Sequence, residues 1–139
     1  MATIHIATEA ELPTVAKAVL EHLPHGGTVL LHGDLGAGKT TLVRACCTRL
    51  GIPAGEVSSP TFSIVNEYAL PEGDAVYHID LYRLEVPEEA EDIGLEEYLA
   101  YGKYCFIEWP DIATHLLPDD KLTVQITTTE QGGRKVVLL

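Results

Sequence analysis

Hydrophobic positions along the chain follow two periods in turn. Thr3 to Ala7 reads as a first strand, and Leu12, Val15, Ala16, Val19, Leu20 and Leu23 then mark one face of an amphipathic helix. Thr8 and Glu11 fit a capping box for that helix, and a start nearer Pro13 fits equally well. Thr28-Val29-Leu30-Leu31 is a short, partly β-branched run of the kind a buried strand carries. Leu42, Val43, Cys46, Cys47 and Leu50 return to helical spacing, with Gly51 where a helix would end. Phe62 to Leu70 and Ala75 to Leu84 read as strands joined by the turn Pro71-Glu72-Gly73-Asp74. Pro87 and the acids Glu88, Glu89, Glu91 and Asp92 open a helix towards Tyr101, because proline and negative charge favour a first turn. Tyr104 to Trp109 is a near-continuous apolar strand, and a short helix follows near Ile112 to Leu116. Leu122, Val124 and Ile126 alternate with polar residues, and Gln131-Gly132-Gly133 turns the chain into a last strand, Arg134 to Leu139. The order predicts an α/β, three-layer domain over residues 1–139, its mixed sheet carrying antiparallel strands at one end.

Between the second strand and its helix stands GDLGAGKT, residues 33–40, which fits G-x-x-x-x-G-K-[ST]. At this chain's composition a chance match has a probability of roughly 0.4%, so the pattern makes the fold one of the phosphate-loop NTPase type. Gly33, Gly36, Ala37 and Gly38 would turn backbone amides towards a phosphate, and the helix N-terminus adds positive potential. Lys39 would reach the β- and γ-phosphates, Thr40 would place a hydroxyl on Mg²⁺, and Thr41 would meet the α-phosphate. The predicted cofactors are ATP and Mg²⁺.

Nucleotide hydrolysis also needs an acid at another strand tip, to hold the metal directly or through water and to orient the attacking water. Asp80 follows Val76-Tyr77-His78-Ile79, and Glu108 follows Tyr104-Cys105-Phe106-Ile107. A carboxylate straight after four strand residues is costly to bury unless paired or metal-bound, so both are candidates beside Lys39. Ser58-Ser59-Pro60-Thr61-Phe62 occupies the place where nucleotide switches sense a γ-phosphate, which makes Ser59 and Thr61 switch candidates against the plainer reading of a Ser-Pro turn. His78 shares the Asp80 face of its strand, where packing is the commoner role and general base the other. Trp109 either packs or lies against the nucleotide.

Charge narrows the partners. Nine Lys and Arg residues face 21 Asp and Glu, a formal net charge of −12, which argues against tight, autonomous binding of tRNA or any nucleic acid. The first residues lack a basic leader, and no run approaches the ~18 apolar residues of a membrane span. A cytoplasmic protein is expected, with its three cysteines as reduced core thiols. N-K-x-D and D-x-x-G, the marks of a Ras-type GTPase, are missing, as is the L-S-G-G-Q signature of an ABC ATPase. A small-molecule kinase is the remaining enzyme alternative, but four arginines, two of them on the loop helix, leave little for the lid such kinases close.

GDLGAGKTT at 33–41, SSPTF at 58–62, HIDLYRL at 78–84, GLEEYL at 94–99 and EWP at 108–110 occur in the order found in the TsaE (YjeE) family. The chain resembles that family over nearly its whole length; Leu42 stands where many members have an aromatic residue, a departure that touches no chemistry. The resemblance implies a bacterial ATPase needed to make threonylcarbamoyladenosine in tRNA. It would leave chemistry on the tRNA to others: one enzyme makes threonylcarbamoyl-adenylate, and a TsaD–TsaB pair transfers the group to the adenosine beside the anticodon. This chain would bind that pair and reset it by hydrolysing ATP, meeting tRNA only through the complex. The resemblance further implies Gly36 to Thr41 on the phosphates, Thr40 and Glu108 on Mg²⁺, Asp80 supporting metal or water, and Thr8, Glu11 and Arg134 near the adenosine. The acidic helix from Glu88 to Glu97 and the Ser58–Phe62 segment are candidates for partner contact.

Overall fold

The computed structural model describes residues 1–57 and 64–139. Seven strands form one mixed sheet: β1 Ala2–Ile6, β2 Gly27–His32, β3 Val65–Ala69, β4 Ala75–Asp80, β5 Tyr104–Glu108, β6 Leu122–Thr128 and β7 Arg134–Leu138, in the order β1-β7-β6-β2-β5-β4-β3. Strands β6, β2, β5 and β4 run parallel, whereas β6–β7–β1 and β4–β3 pair antiparallel. Antiparallel pairing thus borders the parallel centre on both sides, the β3–β4 hairpin being the second.

Period-two alternation sends neighbouring residues of the central strands into two separate cores. Val29, Leu31, Phe106, Val124 and Ile126 pack under α1 (Leu12–Glu21) and α2 (Lys39–Arg49). Leu30, Tyr77, Ile79, Cys105 and Ile107 pack on the other face against Ala90 of α3 (Glu88–Asp92), Leu95 of α4 (Leu95–Tyr101) and Ala113 of the 3₁₀ segment Pro110–Leu116. Covered on both faces, β5 is buried at every residue, which is why YCFIE shows no alternation in its hydrophobicity. Cys46, Cys47 and Cys105 are free and buried, and burial pushes the Cys47 and Cys105 thiols up to about 12, far from reactive thiolates. Among the described residues no helix is long and apolar enough to cross a membrane.

The structure refines several boundaries of the sequence pattern. The two starts proposed for the first helix both exist: a 3₁₀ turn, Glu9–Glu11, has the Glu11 carboxylate accepting from the Ala7 and Thr8 amides (2.6 and 3.0 Å), and α1 follows with Pro13 in its first turn. The third strand begins at Val65; Phe62 and Ser63 lie outside the described residues. The fourth ends at Asp80 instead of Leu84: the Leu81 amide makes the last rung to the Glu108 carbonyl (3.1 Å), and the chain then turns, Leu84 giving its amide to the Leu81 carbonyl (3.0 Å). The helix expected from Pro87 to Tyr101 is broken at Gly94, whose φ of 81° lies in the left-handed region that cannot continue an α-helix.

Candidate nucleotide site

The parallel register of β4 and β5 sets Asp80 beside Glu108, and that of β5 and β2 sets Glu108 beside Leu31, one residue before the end of β2. Three strand ends therefore converge at the carboxyl edge of the sheet, where open α/β sheets bind ligands. The loop from Gly33 to Gly38 leaves β2 there and enters α2 through Gly38, whose φ of 111° is left-handed. That turn aims the N-terminus of an 11-residue helix into a cavity of about 230 Å³, lined by Gly36, Gly38, Lys39, Thr40, Thr41, Asp80, Glu108 and Trp109.

Lys39 is only 5% exposed. Its ammonium donates to the Gly33 carbonyl and stands 3.6 Å from the centre of the Trp109 ring. Burial holds this lysine below its ordinary range, while Glu108, Asp80 and Asp34 favour its charge. The Thr40 hydroxyl lies 2.8 and 3.0 Å from the two Glu108 carboxylate oxygens. Glu108, 3% exposed, also receives the fully buried His78 through Nε2 at 2.5 Å. Burial pushes the Asp80 carboxyl above its ordinary range; the Tyr82 amide (3.0 Å) opposes the shift, Glu108 adds to it, and His78 and Lys39 oppose it. Trp109 is the one non-glycine among the described residues with positive φ (55°). Such a conformation costs about 1–2 kcal/mol in an L-residue, and here it turns the ring across the loop lysine and against Tyr82 (5.0 Å between centroids).

The structure thus gathers Gly36, Gly38, Lys39, Thr40, Thr41, Asp80, Glu108 and Trp109 around one cavity. Gly33 and Ala37 meet it from behind, as carbonyl partners of Lys39 and of Arg134 Nε (2.7 Å). Arg134 also donates to the Gly132 and Gly133 carbonyls and lines a second cavity of about 380 Å³ with Glu11. Thr8 lines neither cavity, its amide being given to Glu11. Ser59 and Thr61 lie outside the described residues. Glu9, which belongs to no motif, and Tyr82, which lies within HIDLYRL, also line the first cavity, and His78 reaches it only through Glu108. With no exposed surface, His78 fits the packing role better than that of a general base.

Comparison with known proteins decides the family. The model for "Threonylcarbamoyl adenosine biosynthesis protein TsaE" matches residues 6–136. The chain belongs to the TsaE family. It is 45% identical to the TsaE protein of Haemophilus influenzae over 70% of this chain, spanning 61% of that relative's length. It is 37% identical to the TsaE protein of Bacillus subtilis over 91% of this chain and 77% of that one, and 36% identical to that of Borreliella burgdorferi over 98% and 97%. A crystal structure of Bacillus subtilis YdiB superposes with a TM-score of 0.76 at 28% identity, covering 99% of this chain and 83% of that one. The HIDLYRL and EWP segments quoted for the TsaE resemblance are the two strand ends that carry Asp80 and Glu108.

Proposed function

We propose that the protein is a Mg²⁺-dependent ATPase acting in the formation of threonylcarbamoyladenosine on tRNA, as the names of its TsaE relatives indicate for them. The observation that carries the catalytic half is the Thr40–Glu108 pair at the mouth of a phosphate loop. Oxygens at neighbouring corners of a Mg²⁺ octahedron, with bonds of 2.0–2.1 Å, lie about 2.9 Å apart. The Thr40 hydroxyl and the Glu108 carboxylate already stand at 2.8–3.0 Å, so these side chains fit the ion. Among the described residues no group of three or more His, Cys, Asp or Glu side chains could cage a metal alone. The ion would therefore share its coordination with nucleotide phosphates, as Mg²⁺ commonly does. When bound it neutralises charge developing on the transferred phosphoryl group.

The chain's own groups supply the rest. Lys39 and the loop amides bind the phosphates: a lysine held by one carbonyl and a ring gains from exchanging these for phosphate oxygens. Asp80, one strand over and partly buried, accepts a hydrogen bond from the attacking water or from water on the metal. Thr41 faces the same cavity for the α-phosphate. The cavity beside Glu11 and Arg134 would take the adenosine, with Thr8 acting through the Glu11 carboxylate that accepts its amide. Protein partners of the TsaD–TsaB kind complete the function, the nucleotide cycle resetting that pair and tRNA being held by it. Hydrolysis by the purified protein tests the site: Lys39→Ala and Thr40→Ala should each lower turnover at least about 100-fold with the melting temperature nearly unchanged. Parental turnover in both variants would overturn the assignment.

A further inference from the structure

Glu108 has a second neighbour that phosphate-loop chemistry does not require. His78 lies on β4 with no exposed surface, faces the core beneath α2, and among the described residues makes a single polar contact, Nε2 to the Glu108 Oε2 at 2.5 Å. Its Nδ1 is the only buried side-chain nitrogen or oxygen among the described residues without a hydrogen-bond partner. A histidine kept for the fold alone would be a poor choice here, because an orphaned polar atom is costly to bury and an apolar side chain of similar size would fill the space. We propose that His78 is a positioning residue for the nucleotide site: its Nε2–H fixes the Glu108 carboxylate so that both oxygens face Thr40 and the metal. The inference rests on reading Glu108 as a metal-site carboxylate.

The geometry supports this in two ways. An ionised carboxylate only accepts, so the contact requires the hydrogen on Nε2. In the neutral ring that assignment leaves Nδ1 as a bare lone pair, the less costly kind of orphan, since buried unpaired N–H donors are the rarer defect. The cross-strand register then locks the direction of the bond: His78 pairs with Phe106 and Asp80 with Glu108, so the ring reaches forward along the parallel strands to the carboxylate. Thr40 approaches the same carboxylate from α2, and between them the two contacts leave Glu108 one orientation. Partners that orient metal-binding carboxylates in this way are typically worth about 10–100-fold in metal affinity or activity.

The test compares the parent with His78→Gln and His78→Leu. Glutamine carries an N–H at nearly the same reach as Nε2 and drops Nδ1; leucine fills the space with no donor. Binding of ADP, followed through Trp109 fluorescence with and without Mg²⁺, should show a Mg²⁺-dependent gain in affinity for the parent and for the glutamine variant. In the leucine variant that gain should fall about tenfold or more, while metal-free affinity stays within about threefold. A leucine variant with the parent's Mg²⁺ dependence would overturn the proposal, as would a folded glutamine variant as impaired as leucine. Long-range ¹⁵N NMR of the nucleotide-free protein decides the same point without ligand: the proton should sit on the His78 Nε2, and a proton on Nδ1 would refute the assignment. A parent that gains nothing from Mg²⁺ would instead overturn the reading of Glu108 as a metal-site carboxylate, and with it the positioning role.

Discussion

Two carboxylates stand side by side at the ends of β4 and β5, and their surroundings separate their roles. Glu108 is fixed by Thr40 and His78, whereas Asp80 holds one backbone amide and is partly desolvated. Glu108→Gln should therefore lower hydrolysis on the order of 100-fold while changing metal-free nucleotide affinity far less, because it removes charge that matters at the metal and most in the transition state. Comparable losses in both would make Glu108 structural. Asp80 makes a pH-dependent prediction. A folded-state pKa raised above the unfolded one favours folding most at low pH, and that contribution is lost as pH rises through the raised value. Asp80→Asn should remove this loss, so the nucleotide-free variant should be slightly more stable than the parent at about pH 7 and show a flatter profile above about pH 4. Urea melts across that window measure it, and a variant less stable at neutral pH would contradict the account. The loop residues were legible because a few types at fixed spacing meet one need, cradling phosphate. The His78–Glu108 bond was not, since it joins residues 30 apart in sequence through a strand register that no local pattern encodes.

At the scale of elements, periodicity located every strand and missed mainly where chain direction depends on a partner. Strand β4 looked longer because Leu81, Tyr82 and Leu84 keep a strand-like alternation, yet the chain leaves the ladder in a turn closed by the Leu84 amide on the Leu81 carbonyl. The GLEEYL segment looked like the continuation of a helix because its apolar spacing is helical; Gly94, read inside that run, is the break. Gly94→Ala tests this directly. No heavy atom lies within 4 Å of the position a Cβ would take, so the cost is conformational alone, about 1 kcal/mol. Chemical denaturation should show that loss with hydrolysis unchanged; a stabilised variant would mean that the two helices merge. The strained turn at Trp109 carries no sequence signal at all, because the residue type opposes the conformation it adopts.

At the scale of the molecule, a parallel centre brings three strand ends to one edge, and the antiparallel borders bring the C-terminal hairpin, through Arg134, against the phosphate loop. The net charge of −12 opposes tight binding of nucleic acid by this chain alone, which fits the proposed action on an assembly that itself holds the tRNA. The acidic stretch across α3 and α4 is the proposed face for a protein partner, where charge would guide encounter more than set affinity. We propose that ATP hydrolysis at Lys39, Thr40 and Glu108 drives repeated rounds of modification by others. Multiple-turnover threonylcarbamoylation of tRNA, with TsaD, TsaB and the enzyme supplying threonylcarbamoyl-adenylate present, tests it most directly. Many modified tRNAs per TsaD–TsaB pair are expected with the parent protein and about one with Lys39→Ala. Equal turnover with the parent, with Lys39→Ala and with neither, alongside a metabolite found phosphorylated from ATP, would contradict the account and favour a small-molecule kinase.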